Sequence, residues 1–372
     1  MQRLLFIVNV DWFFLSHRLA VALAARDAGF DVHVATVLTG PSEAIERHGF
    51  TVHALHMDRR STGSFDAFRL FWALLSLIRQ LRPAVVHLIT IKPVLFGGLA
   101  ARLAGVPKVI AAISGLGYIF NARGFIATLH RSLVSILYRL ALVREGVWVI
   151  FQNSDDQALL QRHAGIRDSQ VIHIRGSGVD LETWPTYPLP ESPPRVLMAS
   201  RLLADKGVCE FVEAARILRG YKSACFVLVG DVDPGNPTSV STEQVQRWVD
   251  EGLIEWWGQR NDMPEVLGMA HMVVLPSYRE GLPKVLIEAA ASGRPVVTTD
   301  VPGCRDAIDP GRSGLLVEAR NAAALAQAIK ALLDHPLQLS AMGEAGRHLA
   351  EQAFDIREVV IRHLAAYGAS GK

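Results

Sequence analysis

Two glutamates, Glu280 and Glu288, lie eight positions apart in the stretch YREGLPKVLIEAAASGRPVV, at the start of a predicted helix. The intervening Gly281 and Leu282 bring backbone N–H groups to the helix start, with Pro283 expected at the first helical position. Free amides and the helix dipole favour a phosphate there, whereas carboxylates accept hydrogen bonds from hydroxyl groups. The pattern therefore predicts a nucleotide sugar, with Glu280 on sugar hydroxyls and Glu288 on ribose hydroxyls.

A second pair of charges favours this ligand over a simpler interpretation, in which the acids only cap the helix and Glu288 pairs with Lys284 on the surface. Arg201 and Lys206 follow a predicted strand in the stretch VLMASRLLADKGVCEFV. Two cations between the end of a strand and the start of a helix suit a diphosphate, although solvated loop charges would give the same pattern. Because both features fall in one half of the chain, a nucleotide-diphosphate site is the favoured interpretation.

Short apolar runs that alternate with helical segments must position these residues. Helical periodicity fills most gaps between the runs, as at 16–27, 205–219, 281–292 and 322–333. Such alternation predicts parallel sheets with helices on both faces. The predicted strands are Leu4–Val10, Asp31–Val37, Thr51–Leu55, Ala84–Leu88, Lys108–Ile113, Val147–Phe151, Val171–Ile174, Arg195–Ala199, Ala224–Val229, Ile254–Trp257, Met272–Leu275, Pro295–Thr298 and Gly314–Val317.

The predicted fold class is α/β, with two doubly wound Rossmann-like domains that face each other across a cleft. The ligand is expected at the C-terminal ends of the strands. Residues 1–180 form the first domain and residues 195–352 the second, since 372 residues exceed one ordinary core. The proline-rich residues 181–194 are the predicted linker. The last helix, within residues 353–372, either belongs to the second domain or crosses back to the first.

The bulk composition excludes several classes of function. A formal net charge of +2 gives no signal for nucleic-acid binding, and three scattered cysteines form no zinc or disulfide pattern. The N-terminal apolar run ends at Asp11 and is better explained by a strand, a helix and a second strand than by a signal peptide. No convincing transmembrane run is present. Asp231 and Asp233 are interpreted as turn formers, so no metal or other cofactor is expected.

Basic residues are concentrated in the first half of the chain. Residues 1–185 carry 19 Lys/Arg and 13 Asp/Glu, and 12 basic residues but one acid, Asp66, lie between Arg59 and Arg144. The same window holds the amphipathic stretches FRLFWALLSLIRQLRP and RSLVSILYRLALVR. This composition predicts docking on an anionic membrane surface, or a grip on a phosphate-bearing acceptor. Two ordinary helices packed on a sheet are the alternative.

Several of these stretches together resemble the retaining glycosyltransferases of the GT-B fold. The spacing of Glu280 and Glu288 matches that group's Glu-x7-Glu motif, and SRLLADKG, FVLVGD, GQRNDM and DPGRSGLLV extend the match over most of the second domain. In the first domain, VNVDWFFLSHR, HLITIKP and ISGLGYIF are similar to a narrower group. These are bacterial transferases that extend polyprenyl-diphosphate-linked sugars for O-antigen, capsule or protein glycosylation.

The resemblance implies a role for each matched residue. Arg201 and Lys206 would neutralise the departing diphosphate, and Glu280 would hold the transferred sugar. Arg260, in the GQRN loop, would border the base. The loop from Asn9 to His17 would close over the donor phosphates, and Lys92 would meet the diphosphate of the acceptor. The full substrate-binding set is Glu288, Gly281, Leu282, Pro283, Arg260, Asn9, His17 and Lys92.

One departure from the family concerns a histidine near the reacting carbon. Many relatives carry it in the loop after the fourth strand of the first domain, whereas this loop is ISGLGY and has none. His17 and His87 could lie nearby, but each is interpreted as an ordinary structural histidine. The identity of the group that replaces the missing histidine stays open.

The resemblance also implies a reaction. It is a retaining, metal-independent transfer of a hexose or N-acetylhexosamine from a nucleotide diphosphate, with UDP favoured over GDP. The acceptor would be a polyprenyl-diphosphate-linked saccharide, and the protein would sit peripherally on the cytoplasmic face of the membrane. Two alternatives stay open. One is a nucleotide-sugar epimerase on the same fold, and the other is a catalytically silent subunit that binds the nucleotide sugar.

Overall fold

A computed structural model describes residues 1–56, 64–116, 125–191 and 193–369 of the chain. The chain divides into two compact units. The first unit comprises Met1–Ser177 and Arg357–Lys372, and the second unit comprises Gly178–Ile356. The final helix is therefore almost entirely part of the first unit. All thirteen predicted strands are confirmed, with ends that shift by up to three residues.

The first unit is built on a seven-stranded parallel sheet in the order β3-β2-β1-β4-β5-β6-β7. Its strands are short and almost entirely apolar, as expected for strands covered on both faces by helices. Their core positions, such as Leu5, Val86 and Val149, are fully buried. The strands are β1 (Gln2–Ile7), β2 (Phe30–Thr36), β3 (Thr51–Ala54), β4 (Val85–Ile89), β5 (Lys108–Ile113), β6 (Val147–Phe151) and β7 (Val171–His173).

Helices connect these strands, and a π-helical turn, Pro93–Gly97, precedes one of them. A Cβ on Gly97 would lie 2.7 Å from the Leu88 side chain, so only glycine allows this turn to pack on β4. The helices are α1 (Asp11–His17), α2 (Leu19–Asp27), α3 (Glu43–Glu46), α4 (Ser64–Leu81), α5 (Gly98–Leu103), α6 (Phe125–Leu142) and α7 (Ser154–Ala164).

The second unit is built on a six-stranded parallel sheet in the order β10-β9-β8-β11-β12-β13. The strands are β8 (Arg195–Ala199), β9 (Cys225–Val229), β10 (Glu255–Trp256), β11 (Met272–Leu275), β12 (Val296–Thr299) and β13 (Gly314–Val317). The helices of this part of the chain are α8 (Val208–Ile217), α9 (Thr242–Asp250), α10 (Met263–Gly268), α11 (Lys284–Ala291), α12 (Ala322–Asp334) and α13 (Pro336–Ala353).

The last helix, α14 (Ile356–Tyr367), packs into the first unit through a buried polar cluster. The Tyr367 hydroxyl lies 2.6 Å from Nδ1 of His87, which is fully buried on β4. The ring of His363 lies beside that of His87 in a tilted arrangement, with centroids 5.4 Å apart, and donates from Nδ1 to the Val359 carbonyl. Burial lowers the pKa of both histidines, and the charge of Arg18, which is only 2% exposed, lowers it further. The cluster fixes α14 to the sheet of this unit.

The prediction of a loop between β1 and a helix starting near Ser16 is wrong, because residues 11–17 are already helical. Asp11 begins this helix and accepts a hydrogen bond from the Trp12 N–H at 2.7 Å. Its carboxylate also accepts from the Thr39 N–H and the Gly40 N–H, at 2.6 and 3.1 Å. Although burial opposes it, this set of hydrogen bonds holds the pKa of Asp11 below its usual value. The loop at Thr39 and Gly40 thus holds the carboxylate of the first residue of α1 in place.

Candidate functional site

The carboxylate of Glu280 and the ammonium of Lys206 form an ion pair within the second unit. Their side chains are 11% and 21% exposed, so the pair is mostly shielded from water. The Ser277 hydroxyl donates to the same carboxylate oxygen of Glu280 at 2.8 Å. The structure therefore brings together two of the three residues predicted to be catalytic, and Ser277 is a further member that the sequence analysis did not find.

Close backbone packing fixes the loops that carry this pair. Gly207, directly after Lys206, has φ of +79°, and a Cβ there would lie 2.2 Å from the Pro276 carbonyl. The Tyr278 N–H donates to the Asp205 carbonyl at 2.9 Å. A Cβ on Gly303 would lie 2.6 Å from the carbonyl of Glu280. Because the loops pack backbone against backbone at Gly207 and Gly303, the ion pair is held in a fixed position.

Helix α11 begins one residue after Pro283, the predicted first helical position. Lys284 is its first residue, and Pro283 is the N-cap with an extended conformation, φ −70° and ψ 124°. The prediction of Pro283 at the first helical position is therefore wrong. A proline has no side-chain oxygen, and no side-chain cap is formed at this described helix start. In the first turn of α11 the Leu286 N–H donates to the Pro283 carbonyl at 3.1 Å. Among the described residues, the amides of Lys284 and Val285 are left for an anion, such as a phosphate.

The third predicted catalytic residue, Arg201, lies after β8 and donates from Nη1 to Oδ2 of Asp233 at 2.8 Å. Asp233 follows β9, and its backbone N–H donates to the Ser239 hydroxyl at 2.9 Å. The Asp233 carbonyl also closes a turn with the Asn236 N–H at 2.7 Å. Asp233 is thus a turn former, as predicted, and in addition it holds the guanidinium of Arg201.

Glu288 is buried in α11, with 7% of its surface exposed. Its Oε1 lies 3.1 Å from Nζ of Lys284, one turn earlier in the helix. Burial raises the pKa of the Glu288 carboxyl, and the nearby ammonium only partly opposes this shift. The predicted alternative of a Lys284–Glu288 pair is present, but its acid is not on the surface. A buried carboxylate with one cation retains capacity to accept hydrogen bonds from ligand hydroxyls.

The other residues predicted to bind substrate lie on different loops and helices of the two units. Arg260, between β10 and α10, makes a two-point exposed pair with Asp262. In the first unit, Asn9 lies just beyond β1, and Lys92 directly precedes the π-helical turn. His17 ends α1, where its ring stacks on Phe13 at 4.1 Å.

His87 is fully buried in the first unit and hydrogen-bonded to Tyr367, which agrees with the structural role expected of it. From Gly117 onward, the segment ISGLGYIF lies outside the described residues. Within the described ranges, no group of three or more His, Cys, Asp or Glu side chains could hold a metal ion.

Comparisons with known proteins follow the same division of the chain. The family model "Glycosyl transferase 4-like" matches residues 3–144, and "Glycosyl transferases group 1" matches residues 193–335. The chain is 30% identical to an N,N'-diacetylbacillosaminyl-diphospho-undecaprenol alpha-1,3-N-acetylgalactosaminyltransferase of Campylobacter jejuni, over 95% of this chain and 97% of that protein. It is 25% identical to a UDP-Gal:alpha-D-GlcNAc-diphosphoundecaprenol alpha-1,3-galactosyltransferase of Escherichia coli, over 76% of this chain and 75% of that protein.

A solved structure gives the same fold. The crystal structure of Anabaena HepE in complex with UDP and glucose matches with a TM-score of 0.79, covering 100% of both chains at 20% sequence identity. The chain has two Rossmann-like units with parallel sheets, and it matches this structure over its whole length. It therefore has the GT-B fold, and the predicted fold class is confirmed. The chain belongs to the group 1 glycosyltransferases and is a glycosyltransferase.

Proposed function

We propose that this glycosyltransferase moves a sugar, with retention of configuration, from a UDP-sugar to a polyprenyl-diphosphate-linked saccharide. The two curated relatives described above carry names that specify alpha linkages and diphospho-undecaprenol acceptors. The observation that carries the proposal for this chain is the shielded Lys206–Glu280 pair in the unit that holds the uncapped start of α11. A cation and helix amides suit the two phosphates of a nucleotide-sugar donor, and a carboxylate suits the hydroxyl groups of its sugar.

The donor diphosphate would bind to the cations and to the amides at the start of α11. In this proposal Lys206 keeps Glu280 as a neighbour and gains a phosphate oxygen, so the ammonium stabilises negative charge as the nucleotide leaves. Arg201 adds a second cation, with a planar guanidinium that suits phosphate oxygens. Leu282 and Gly281 belong to the same loop and are proposed to line the phosphate site.

The two glutamates would bind hydroxyl groups at opposite ends of the donor. Glu280 is proposed to hold the transferred sugar, and Ser277 and Lys206 fix its carboxylate in one position. Glu288 is proposed to accept from the ribose hydroxyls. Since no covalent nucleophile is assigned, catalysis would depend mainly on positioning and on charge stabilisation around an oxocarbenium-like state. The roles of Arg260, His17 and Lys92 stay predictions.

A membrane-facing surface is the second part of the proposal. Phe65, Phe68 and Trp72 are 70%, 60% and 49% exposed along one face of α4, opposite the buried Leu70 and Leu74. Exposed aromatic residues in a row at helical spacing are typical of a surface that meets a membrane or a partner.

A second stripe extends this surface on a neighbouring helix. Leu133, Ile136 and Leu140 are 56%, 55% and 46% exposed on α6. Both α4 and α6 pack against α5, which places the two stripes on one side of the sheet. Arg69 and Arg139 are exposed beside the apolar residues. No helix in the described part of the chain is long and apolar enough to cross a bilayer. We therefore propose peripheral docking on the anionic cytoplasmic leaflet.

A donor and acceptor panel tests the proposed reaction. UDP- and GDP-sugars are incubated with the full chain in detergent, with and without a polyprenyl-diphosphate-linked saccharide, and products are identified by mass spectrometry. Nucleotide release that requires the acceptor, with a new alpha-linked glycolipid, is the expected result. Conversion of the donor without acceptor would instead identify an epimerase. Tight donor binding with no turnover on any acceptor tested would contradict the transferase and favour a silent binding subunit.

A further inference from the structure

A separate set of polar side chains lies at the carboxyl edge of the seven-stranded sheet. Asn9 follows β1, Thr90 follows β4 and Ser114 follows β5. In the parallel ladders Ile7 pairs with Leu88, and Ile89 pairs with Ala112. Each of the three polar residues is therefore within two positions of a paired strand residue. Because neighbouring strands are about 5 Å apart, the three segments lie within roughly 10 Å across the sheet.

Each of these residues has a buried polar atom with no hydrogen-bond partner among the described residues. The atoms are Oδ1 of Asn9, Oγ1 of Thr90 and Oγ of Ser114. Buried polar atoms in folded proteins nearly always have a partner, so each exception requires an explanation. Three exceptions on three adjacent strands indicate a common partner that the described residues do not supply.

The position in the sheet favours a ligand as that partner. In the order β3-β2-β1-β4-β5-β6-β7, the chain proceeds from β1 towards one edge and from β4 towards the other. The gap between β1 and β4 is thus the topological switch point of this sheet. Ligands of open α/β sheets bind at the carboxyl ends of the strands beside this point. Asn9 and Thr90 lie on either side of it.

The backbone at Thr90 is strained, which is a second and independent observation. Thr90 has φ of +74°, a left-handed conformation that β-branched residues rarely adopt. Its carbonyl accepts from the Val94 N–H at 3.0 Å, and the π-helical turn Pro93–Gly97 follows directly. Residues held in such conformations cluster at ligand sites, and π-helical turns are frequent at functional sites.

We propose that Asn9, Thr90 and Ser114 form a neutral seat for the hydroxyl or acetamido groups of a sugar. The Asn9 carbonyl oxygen only accepts hydrogen bonds, so it suits an O–H or N–H group of a sugar better than the donor phosphates that the resemblance implies for this loop. The two hydroxyls either donate or accept, as sugar groups require. This inference rests on the proposed glycosyl transfer, and the sugar is either the acceptor saccharide or the transferred sugar of the donor.

Two conservative variants test the seat. Thr90→Val keeps the branched shape and Ser114→Ala keeps the small volume, while each removes one hydroxyl. Loss of one hydrogen bond to a sugar should raise a KM by about 10-fold. A rise in the acceptor KM alone assigns the seat to the acceptor saccharide, and a rise in the donor KM alone assigns it to the transferred sugar. Thr90→Ser, which retains the hydroxyl, should restore the wild-type value.

The controls separate a ligand role from a structural one. Thr51→Val and Ser76→Ala remove exposed hydroxyls from β3 and α4 and should leave both KM values unchanged. In the absence of substrate, Thr90→Val should unfold at the same temperature as the wild type or higher, because the lost hydroxyl has no partner. Unchanged KM values in both seat variants, or a lower unfolding temperature that Thr90→Ser restores, would overturn the proposal.

A binding measurement keeps the seat testable if no transfer is found. Saturation-transfer NMR with methyl glycosides of galactose and N-acetylgalactosamine is recorded on the wild type and on Thr90→Val. Signal on the wild type that the variant weakens by at least threefold supports the seat, whatever the outcome of the donor and acceptor panel. Equal signal on both proteins, or none on the wild type, argues against it, even where transfer itself is established.

Discussion

The two sheets of this molecule differ in the polar side chains that follow the carboxyl ends of their strands. In the second unit the side chains beyond the strands are charged and paired, as Lys206 with Glu280 and Arg201 with Asp233. In the first unit the side-chain oxygens of Asn9, Thr90 and Ser114, which follow β1, β4 and β5, are neutral and have no partners among the described residues. The comparison indicates two states in which polar groups can wait for a ligand, either paired with a counter-ion or without a partner. Charges need a counter-ion at all times, because an unpaired buried charge is far more costly than an unpaired hydroxyl.

The largest effect is expected from breaking the charged edge. Lys206→Ala should lower kcat by roughly 10²–10³-fold, because a cation that stabilises developing charge is lost. Glu280→Ala should abolish transfer and leave folding intact, and both are measured by initial rates and circular dichroism. Lys222→Ala, in an exposed pair with Asp334, is the matched control and should keep full activity. Wild-type turnover in Glu280→Ala would show that the assigned site is wrong.

The exposed stripe on α4 distinguishes the first unit in a second way. Replacing Phe68 and Trp72 together by serine should weaken binding to anionic vesicles by on the order of 30-fold, since each apolar side chain contributes about 1–2 kcal/mol when partly inserted. Vesicle co-sedimentation measures this. The same double change at Ile217 and Leu337, exposed residues of the second unit's part of the chain, is the control. Equal vesicle binding by both double variants would contradict membrane docking through α4.

The buried histidines make the first unit sensitive to acid. Burial, and then the charge of Arg18, lower the pKa of His363 from 6.5 to about 3. Below about pH 6.5 the unfolded chain binds protons that the folded chain excludes, so stability is present above this pH and falls as the pH drops towards 3. The unfolding free energy should decrease by up to about 1.4 kcal/mol per pH unit for this group.

Thermal or urea unfolding at several pH values measures this loss. His363→Phe should reduce the slope between pH 6.5 and 4.5, while His348→Gln, at a side chain that is 76% exposed, should not. Direct NMR titration of the imidazoles provides a second readout if His363→Phe does not fold. Protonation of His363 in the folded chain near pH 6.5 would contradict the interpretation of the buried cluster.

Glu288 tests whether the buried acid of α11 serves the ligand or the fold. Glu288→Gln should raise the donor KM by about 10-fold, since a carboxylate accepts stronger hydrogen bonds from ribose hydroxyls than an amide does. Because burial raises the pKa of this carboxyl, the neutral variant should be at least as stable as the wild type. Steady-state kinetics and unfolding measure the two effects, with the exposed Glu344→Gln as control. Lower stability with an unchanged KM would assign Glu288 to the fold alone.

The smallest effect is expected at Asp233. Asp233→Asn retains an acceptor for Arg201, and the Arg201 side chain is 41% exposed, so the pair contributes little. The donor KM should change by no more than a few-fold in either direction, as measured by initial rates. A loss of about a hundredfold would instead show that Asp233 contacts the substrate itself.

Much of the candidate site could be predicted from the sequence, because the patterns that identify it are local. Lys206 and Glu280 could be selected because each follows a strand that the apolar pattern identifies. Thr90 could not be found in this way, since its left-handed backbone and unpaired hydroxyl have no signature in a single sequence. Ser277 was missed for a similar reason. A serine after a strand is common, and only its 2.8 Å contact with Glu280 distinguishes it.

Sequence alone determined the order and type of the elements in this protein, because apolar periodicity along the chain reflects burial on both faces of a parallel sheet. It also determined the residue types available for chemistry in each half. The tertiary structure decided which charges pair, where Asp11 is capped and where α14 packs. These features depend on contacts between segments far apart in the chain, such as Asp11 with Thr39 and His87 with Tyr367. No local pattern specifies such contacts, since packing selects them only when the sheet has assembled.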